Sequence, residues 1–432
     1  MSPDPENRPE PGGRAPRTTR RRVAAVLLVL AGIAGSIHAT NLLLLADRYG
    51  CDPVNFACRE GHDPFVAPDT AGYLQAMLEL RERGLFGASM LKRPPGYPAL
   101  LLAADFTGAP RHVLWLSPVF AGLAAGAIGW LALRASRRLV VAVAAVLVFF
   151  WWPNALQLSP VLFTDALHGF AAVSALAATL YWRESESGPA AWLAGALWLF
   201  VQSLRVTFFW LPAVLPLLLL KRGASPFYRT GSVALWASGF LVPGFLLVSN
   251  AQHHGVFALS EIPARNLACY TVPRIQSELG EGAFKTLRRS CTQRYRHLSP
   301  AVRIASQERD AAAFLGAHPA AALASFAKEW VTQLTVPMRP YYHLELASLY
   351  RAWPTPGRWF LAIFWCGAAV GLAVRWRTVP REVVFLASLF VGIMVPAATS
   401  HLVEGRLRFP LDLVFLPVVF ALPAVLWRRR KR

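Results

Sequence analysis

The run VAAVLLVLAGIAGSIHATNLLLLA, Val23 to Ala46, holds no Lys, Arg, Asp or Glu. It exceeds the roughly 20 residues that cross the hydrocarbon of a bilayer. Arg20, Arg21 and Arg22 stand directly before it. The run is longer than the apolar core of a signal peptide and lacks a clean small-residue cleavage site. It reads as an uncleaved first span whose N-terminus stays in the cytoplasm. The rest of the chain repeats the pattern. Of 432 residues, 55% are apolar and 16% charged, where a soluble chain carries nearer a quarter charged. Many of the apolar runs are too long and too uniform for amphipathic surface helices. Lipid offers no water to unpaired backbone groups, so the predicted fold class is an all-α membrane protein.

Ten spans are predicted, near 23–45, 112–134, 139–153, 162–182, 190–204, 206–220, 231–249, 358–375, 382–399 and 408–427. An even number returns the C-terminus to the cytoplasm, and the short basic loops 134–138, 221–230 and 375–381 then fall inside with it. The net charge of +20 sits largely in such places: Arg134 with Arg137 and Arg138, Lys221 with Arg222, Arg375 with Arg377, and Arg428 to Arg432. No basic stripe on a soluble face is visible, so nucleic acid is not an expected partner. Residues 190–220 read as two short crossings with Arg205 at their outer turn. Residues 319–338, interrupted by Lys328 and Glu329, read as a helix lying on the outer surface. The chain thus divides into a disordered basic N-terminus, 1–22; an N-terminal membrane core, 23–249, that includes a first outside loop, 46–111; a second large outside loop, 250–357; and C-terminal membrane helices with a basic tail, 358–432. Both loops are expected to carry short surface helices.

Cysteines agree with this sidedness. Cys51 and Cys58 lie in the first outside loop, Cys269 and Cys291 in the second, and Cys366 within a span. An even set outside suits disulfides in an oxidising compartment, and pairing within each loop is the simplest of three connectivities. No close-spaced Cys/His cluster suggests zinc, and no metal or cofactor is expected.

The polar motifs also gather on the outer side. The first loop holds DTAGY, Asp69 to Tyr73, then KRPPGYP, Lys92 to Pro98. FTDAL, Phe163 to Leu167, leads into a span, and Leu204-Arg205 closes another. The second loop opens with Asn250, Gly255 and SEIPARNL, Ser260 to Leu267, and EGRLRFP, Glu404 to Pro410, precedes the last span. This order and topology resemble the membrane-embedded C-type glycosyltransferases, in particular the protein O-mannosyltransferase and lipid A aminoarabinose transferase superfamily. The resemblance runs from the first span to the last. It implies an inverting transfer of a sugar from a polyprenyl-phosphate donor to a protein, lipid or glycan acceptor. The site would be an outward-facing cavity at a bacterial inner membrane. Two features depart from the pattern. Asp69 is followed by Thr70 where relatives often carry a second acidic residue, and the large C-terminal soluble domain of some relatives is missing.

Glycosyl transfer needs a base near the acceptor and help for the departing phosphate. A carboxylate supplies the first and cations in a site of low dielectric supply the second. Asp69 is the candidate base, with helix N-capping of the stretch from Thr70 as the competing role; Asp63 is a weaker alternative. Asp165, a carboxylate at the outer end of a span, is a functional suspect by position and a candidate second catalytic acid, with interfacial capping or pairing as the alternative. His168, one turn on, shares its face or simply packs. Arg205 either snorkels to headgroups or meets the donor phosphate. Arg406 and Arg408 are candidates for the same phosphate because a guanidinium suits its oxygens, and Lys92 and Arg93 are weaker ones. Tyr73, Tyr97, Glu261, Arg265 and Asn266 are candidate substrate contacts, against packing or ordinary loop polarity.

Absences narrow the field. There is no P-loop for ATP-driven transport and no HExxH for zinc proteolysis. No DxD motif supports a nucleotide-sugar transferase domain. The competing readings are a transporter or flippase of a lipid-linked sugar, whose charges would extend along a path through the membrane, and a structural scaffold of the envelope.

Overall fold

In a computed structural model of the chain, residues 17–58, 63–67, 69–162, 164–221, 224–336, 354–376, 378–398 and 407–430 are described. They form helices and, among them, no strand. In order these are α1 (Arg17–Arg48), α2 (Thr70–Gly87), α3 (Gly96–Asp105), α4 (Leu116–Ser136), α5 (Leu139–Phe150), α6 (Pro153–Leu158), α7 (Asp165–Ser185), α8 (Gly188–Leu204), α9 (Leu211–Leu219) and α10 (Pro226–His254). Then come α11 (Ile262–Asn266), a π turn (Leu267–Thr271), α12 (Val272–Glu278), α13 (Phe284–Tyr295), α14 (Pro300–Ala317), α15 (Pro319–Thr335), α16 (Pro354–Arg375), α17 (Pro380–Ala398) and α18 (Phe409–Arg430).

Among the described residues five stretches, Arg22–Arg48, Pro110–Ser136, Pro226–His254, Pro356–Arg375 and Phe409–Arg428, are long and apolar enough to cross a membrane. The protein is therefore an all-α membrane protein, with helix in each of the ten stretches expected to cross. The stretch 206–220 differs most from expectation. It holds a 3-10 turn, Val206–Phe208, and a helix of 9 residues, α9. At 1.5 Å per residue α9 reaches about 14 Å, roughly half a bilayer core. Pro212 sits in its first turn and Pro216 within it; proline lacks the N–H that would extend a regular helix. α5, at 12 residues, is also short, and Trp151–Trp152 break it from α6.

α4, α7 and α18 make the centre, with α1, α5, α8 and α16 around them. Small residues explain why α7 sits innermost. Ala166, Gly169, Ala171, Ala172, Ala175, Ala177 and Ala178 let neighbouring backbones approach, the usual basis of helix association in lipid, and all are buried. A methyl at Gly169 would lie 2.6 Å from the ring of Phe409. A methyl at Gly122 of α4 would lie 2.9 Å from the Ala31 carbonyl of α1.

Helix termini sort into two ends. At one, Arg134 of α4 pairs with Glu184 of α7 and with Glu382 of α17, and Arg183 also reaches Glu382 at 3.2 Å. Arg375 of α16 caps the Ala135 carbonyl at 2.6 Å, Arg428 of α18 caps that of Ser136, and Lys221 pairs with Glu186. These are the basic clusters of the short loops. α2 and α3 lie at the other end, where α7 begins, α8 ends and α18 begins. The helices of 262–335 join them there through Glu261. Its amide donates to the Leu91 carbonyl at 3.0 Å, and its carboxylate takes Arg303 of α14 at 2.7 Å.

Two disulfides brace this end, Cys51–Cys58 and Cys269–Cys291, leaving Cys366 of α16 as the free, exposed cysteine. Labelling the denatured, unreduced protein with a maleimide is expected to modify one of its 5 cysteines, Cys366. Labelling after reduction is expected to modify all of them. More than one label before reduction would contradict the bracing.

Candidate functional site

The site begins with a loop that the chain pins down at several points. Arg111 donates to the Phe56 carbonyl at 2.6 Å and pairs with Asp63. Asp63 is thereby committed to holding the loop. The Leu162 amide donates to the Phe65 carbonyl at 2.7 Å, and Thr70 Oγ1 donates to the Leu162 carbonyl at 2.9 Å. These bonds fasten the start of α2 to the segment leading into α7, so Asp69 and Asp165 are brought to the same end by main-chain contacts.

Asp69 stands at the first position before α2, yet its carboxylate makes no capping bond to the helix. It instead takes the guanidinium of Arg93 at 2.7 Å, and its side chain is 36% exposed. The same guanidinium lies 4.4 Å over the ring of Tyr73, close enough for a cation–π contribution. Tyr73 then turns its hydroxyl to Thr164 Oγ1 at 3.0 Å. Thr164 precedes Asp165, whose side chain is only 1% exposed and pairs with Arg205. A line of polar groups therefore runs Asp69, Arg93, Tyr73, Thr164, Asp165, Arg205. It crosses from the first loop to the ends of α7 and α8.

The KRPPGYP stretch has three structural tasks in this line. Arg93 supplies its cation. Gly96 allows contact with α8, because a methyl there would fall 2.7 Å from the main-chain carbon of Ser203 and on its hydroxyl. Any larger residue would push the loop from α8 two residues before Arg205. Tyr97 packs edge to face on Tyr73, with ring centroids 5.1 Å apart. Burial, and then the neighbouring Tyr73, push the Tyr97 hydroxyl well above the ordinary phenol range. It stays neutral and belongs to the packing beneath the site.

Other sequence candidates are distributed differently. His168 is buried one turn after Asp165 and stacks on Phe208 at 4.9 Å. Neither of its ring nitrogens meets a hydrogen-bond partner among the described residues. Lys92 is mostly exposed and lies 3.8 Å from Glu261. Glu261 itself is buried between Lys92 and Arg303, so it acts as a latch between the two loop regions. Arg265 is exposed and Asn266 half-buried on α11, apart from the polar line of the first loop. Arg406 lies outside the described residues.

Arg408 requires a correction. Expected to grip phosphate, it is 1% exposed and wholly enclosed. Its Nε donates to Asp412 one turn along α18 at 2.8 Å, and its Nη1 donates to the Gln333 carbonyl of α15. The other oxygen of Asp412 accepts from Trp152 Nε1 at 3.2 Å and Asn154 Nδ2 at 3.3 Å. A guanidinium surrounded in this way ties α18 to α15 and to the α5–α6 break. Sequence reasoning missed Asp412, although the signal was present: an acid within an apolar run, four residues after an arginine. Thr164, Ser203 and Arg303 were missed because their partners are distant in sequence. Among the described residues no three His, Cys, Asp or Glu side chains group as metal ligands.

Replacing Arg408 by Met leaves the Asp412 charge buried and unpaired, which is expected to cost about 3–5 kcal/mol. Thermal unfolding in detergent should show this loss. Adding Asp412→Leu should restore most of the midpoint. A single variant as stable as the parent would show that the pair does not hold α18.

Comparison with known proteins adds little. No family model matches the sequence, and no curated protein matches it. Among solved structures, the archaeal oligosaccharyltransferase AglB from Archaeoglobus fulgidus, in complex with an inhibitory peptide and a dolichol-phosphate, is similar at a TM-score of 0.49 and 13% identity. The match covers 95% of this chain and 51% of that one, so the chain spans about half the length of this neighbour. At this level of identity and overlap, function has to be argued from this chain's own residues.

Proposed function

We propose that the protein is a membrane glycosyltransferase that moves a sugar from a polyprenyl-phosphate carrier to an acceptor on the outer face. The observation that carries the reading is the continuous polar line from Asp69 to Arg205. It joins a partly exposed carboxylate to a partly exposed guanidinium that is paired with a buried acid, Asp165. The carboxylate is 36% exposed and the Arg205 side chain 20% exposed, so neither is closed to a ligand. The motif order DTAGY, KRPPGYP, FTDAL and Leu204-Arg205, similar to that of the C-type transferases, supports the same reading.

In this reading Asp69 accepts the proton of the acceptor as its oxygen or nitrogen attacks the anomeric carbon. Arg93 holds and orients the carboxylate before the acceptor arrives. The bond from the anomeric carbon to the phosphate oxygen breaks, and the negative charge left on the phosphate is met by Arg205. Asp165 fixes the Arg205 fork and prevents it from snorkelling to headgroups. Positioned charge in a site of low dielectric needs no reorganisation as the reaction proceeds. Lys92 is a further, exposed cation on the same loop; Tyr73 lies beneath the Arg93 guanidinium and His168 packs on Phe208. The isoprenoid would enter between helices from the bilayer. No cofactor or metal enters this scheme.

Asp69→Asn keeps the size and polarity of the side chain but removes the proton acceptor. A general base contributes about 10²–10⁴-fold, so turnover of a polyprenyl-phosphate sugar by reconstituted protein should fall by that factor with the unfolding midpoint unchanged. Turnover within twofold of the parent would rule Asp69 out as base. Arg205→Lys keeps the charge beside Asp165 but loses the planar fork. It should raise the KM for donor about tenfold, equivalent to about 1.4 kcal/mol, with little change in the KM for acceptor. Equal changes in both would assign Arg205 a structural role instead.

A further inference from the structure

The second loop region carries a charged surface and a cavity that the polar line does not use. From Phe284 to His297 there are five cationic residues, Lys285, Arg288, Arg289, Arg294 and Arg296, and no acid. Arg288 turns inward, 4.4 Å over the Tyr270 ring with its Nη2 donating to the Tyr270 hydroxyl at 3.1 Å. The other four are exposed. Lys285 and Arg289 stand one turn apart, an arrangement that destabilises an isolated helix. The helix is held nonetheless, by Cys291 bonded to Cys269 and by buried Tyr295. A predominantly basic face maintained at this cost points to an anionic partner.

Beneath this face, α12, α13, α14 and the π turn enclose a cavity of about 230 Å³. Its lining includes the apolar Leu287, Phe314 and Pro273 and the polar Gln276, Arg294 and Asp310. Asp310 is held in place by Tyr295, whose hydroxyl donates to it at 2.7 Å, and by Arg309 at 3.3 Å. A lining that combines apolar side chains with planar hydrogen-bonding groups suits a pyranose ring. The ring offers C–H groups on its faces and hydroxyls on its edge. Asp310 and Gln276 would accept from or donate to hydroxyls, and Arg294 would take an acidic substituent in bidentate fashion.

We infer that this cavity and the basic face of α13 form a subsite for an acidic saccharide within a glycan acceptor. The inference rests on the glycosyltransferase reading and names the acceptor class for it. Its position is favourable. Arg303 of α14 pairs with Glu261, which also meets Lys92 of the site loop. Asp310 lies seven residues further along the same helix, about 10 Å away. The region also contains a disulfide, as a surface outside the cytoplasm would. A membrane surface fits less well as partner. A helix that lies in a membrane interface inserts large apolar residues, whereas Thr286, Ser290, Thr292 and Gln293 share the outer side of α13 with the cations.

The test uses the full-length protein in nanodiscs of zwitterionic lipid, with binding followed by calorimetry. The probes are an oligogalacturonate, a phosphorylated oligosaccharide and a neutral maltooligosaccharide of equal length. Saturable binding of an acidic probe, at least tenfold tighter than the neutral one, is expected. Which acidic probe binds more tightly identifies carboxylate or phosphate as the recognised group. The variant Arg289→Ala with Arg294→Ala, its unfolding midpoint checked, should lose at least tenfold. Equal affinity for the neutral sugar, no loss in the double variant, or binding only to phosphatidylglycerol vesicles would overturn the inference. Undiminished turnover in Asp69→Asn would instead count against the base assignment and leave the saccharide subsite standing.

Discussion

The candidate site depends on the pairing of Asp165 with Arg205. Each sits at the end of an apolar helix, where a lone charge is expensive. Together they neutralise one another across the junction of α7 and α8. Thr164, beside Asp165, then carries the connection to Tyr73 and so to Arg93 and Asp69. Without the pair, Arg205 would be drawn toward headgroups and the floor of the line would lose its fixed charge. Such a pair adds little net stability over apolar residues of the same volume. Its retention in so apolar a chain fits a role in positioning charge rather than in folding.

Much of the architecture was legible because lipid restricts the options. Uncharged runs of about 20 residues can be little other than helices, and the basic clusters marked one end of the bundle. The short α9 was harder to read. Its sequence, LPAVLPLLL, is as apolar as a span, and hydropathy gives no weight to the two prolines that limit its length. The site divided along similar lines. Asp165 and Arg205 stand out because a charge at the edge of an apolar run is conspicuous. The pairing of Asp69 with Arg93 was not readable, since 24 residues separate them and the loop between them is shaped by contacts with α8. The Gly96–Ser203 contact belongs to the same class: an invisible partner gives an otherwise ordinary glycine its purpose.

Arg408 shows where residue type alone misleads. Arginine before an anion-binding span is a reasonable phosphate ligand, and the resemblance encouraged that expectation. Burial decides otherwise. With Asp412, Gln333 and the neighbouring Trp152 and Asn154 closing around it, its guanidinium has no access to a mobile ligand. Among the charges of the first loop and the α7–α8 junction, Lys92, Asp69 and, in part, Arg205 remain open to a ligand.

The enclosure of that second pair has a consequence for biogenesis. Because Arg408 and Asp412 are one turn apart on the same helix, they can neutralise each other as soon as α18 winds, before any other helix is present. A charge at the centre of a nascent segment costs about 2.5–3.5 kcal/mol; this pair sits at the start of its segment, where the cost is smaller and pairing lowers it further. A segment that has already paired its own charges can partition into lipid as a single unit. Its Trp152, Asn154 and Gln333 contacts then form afterwards, when the inserted helix meets the bundle made by the earlier part of the chain.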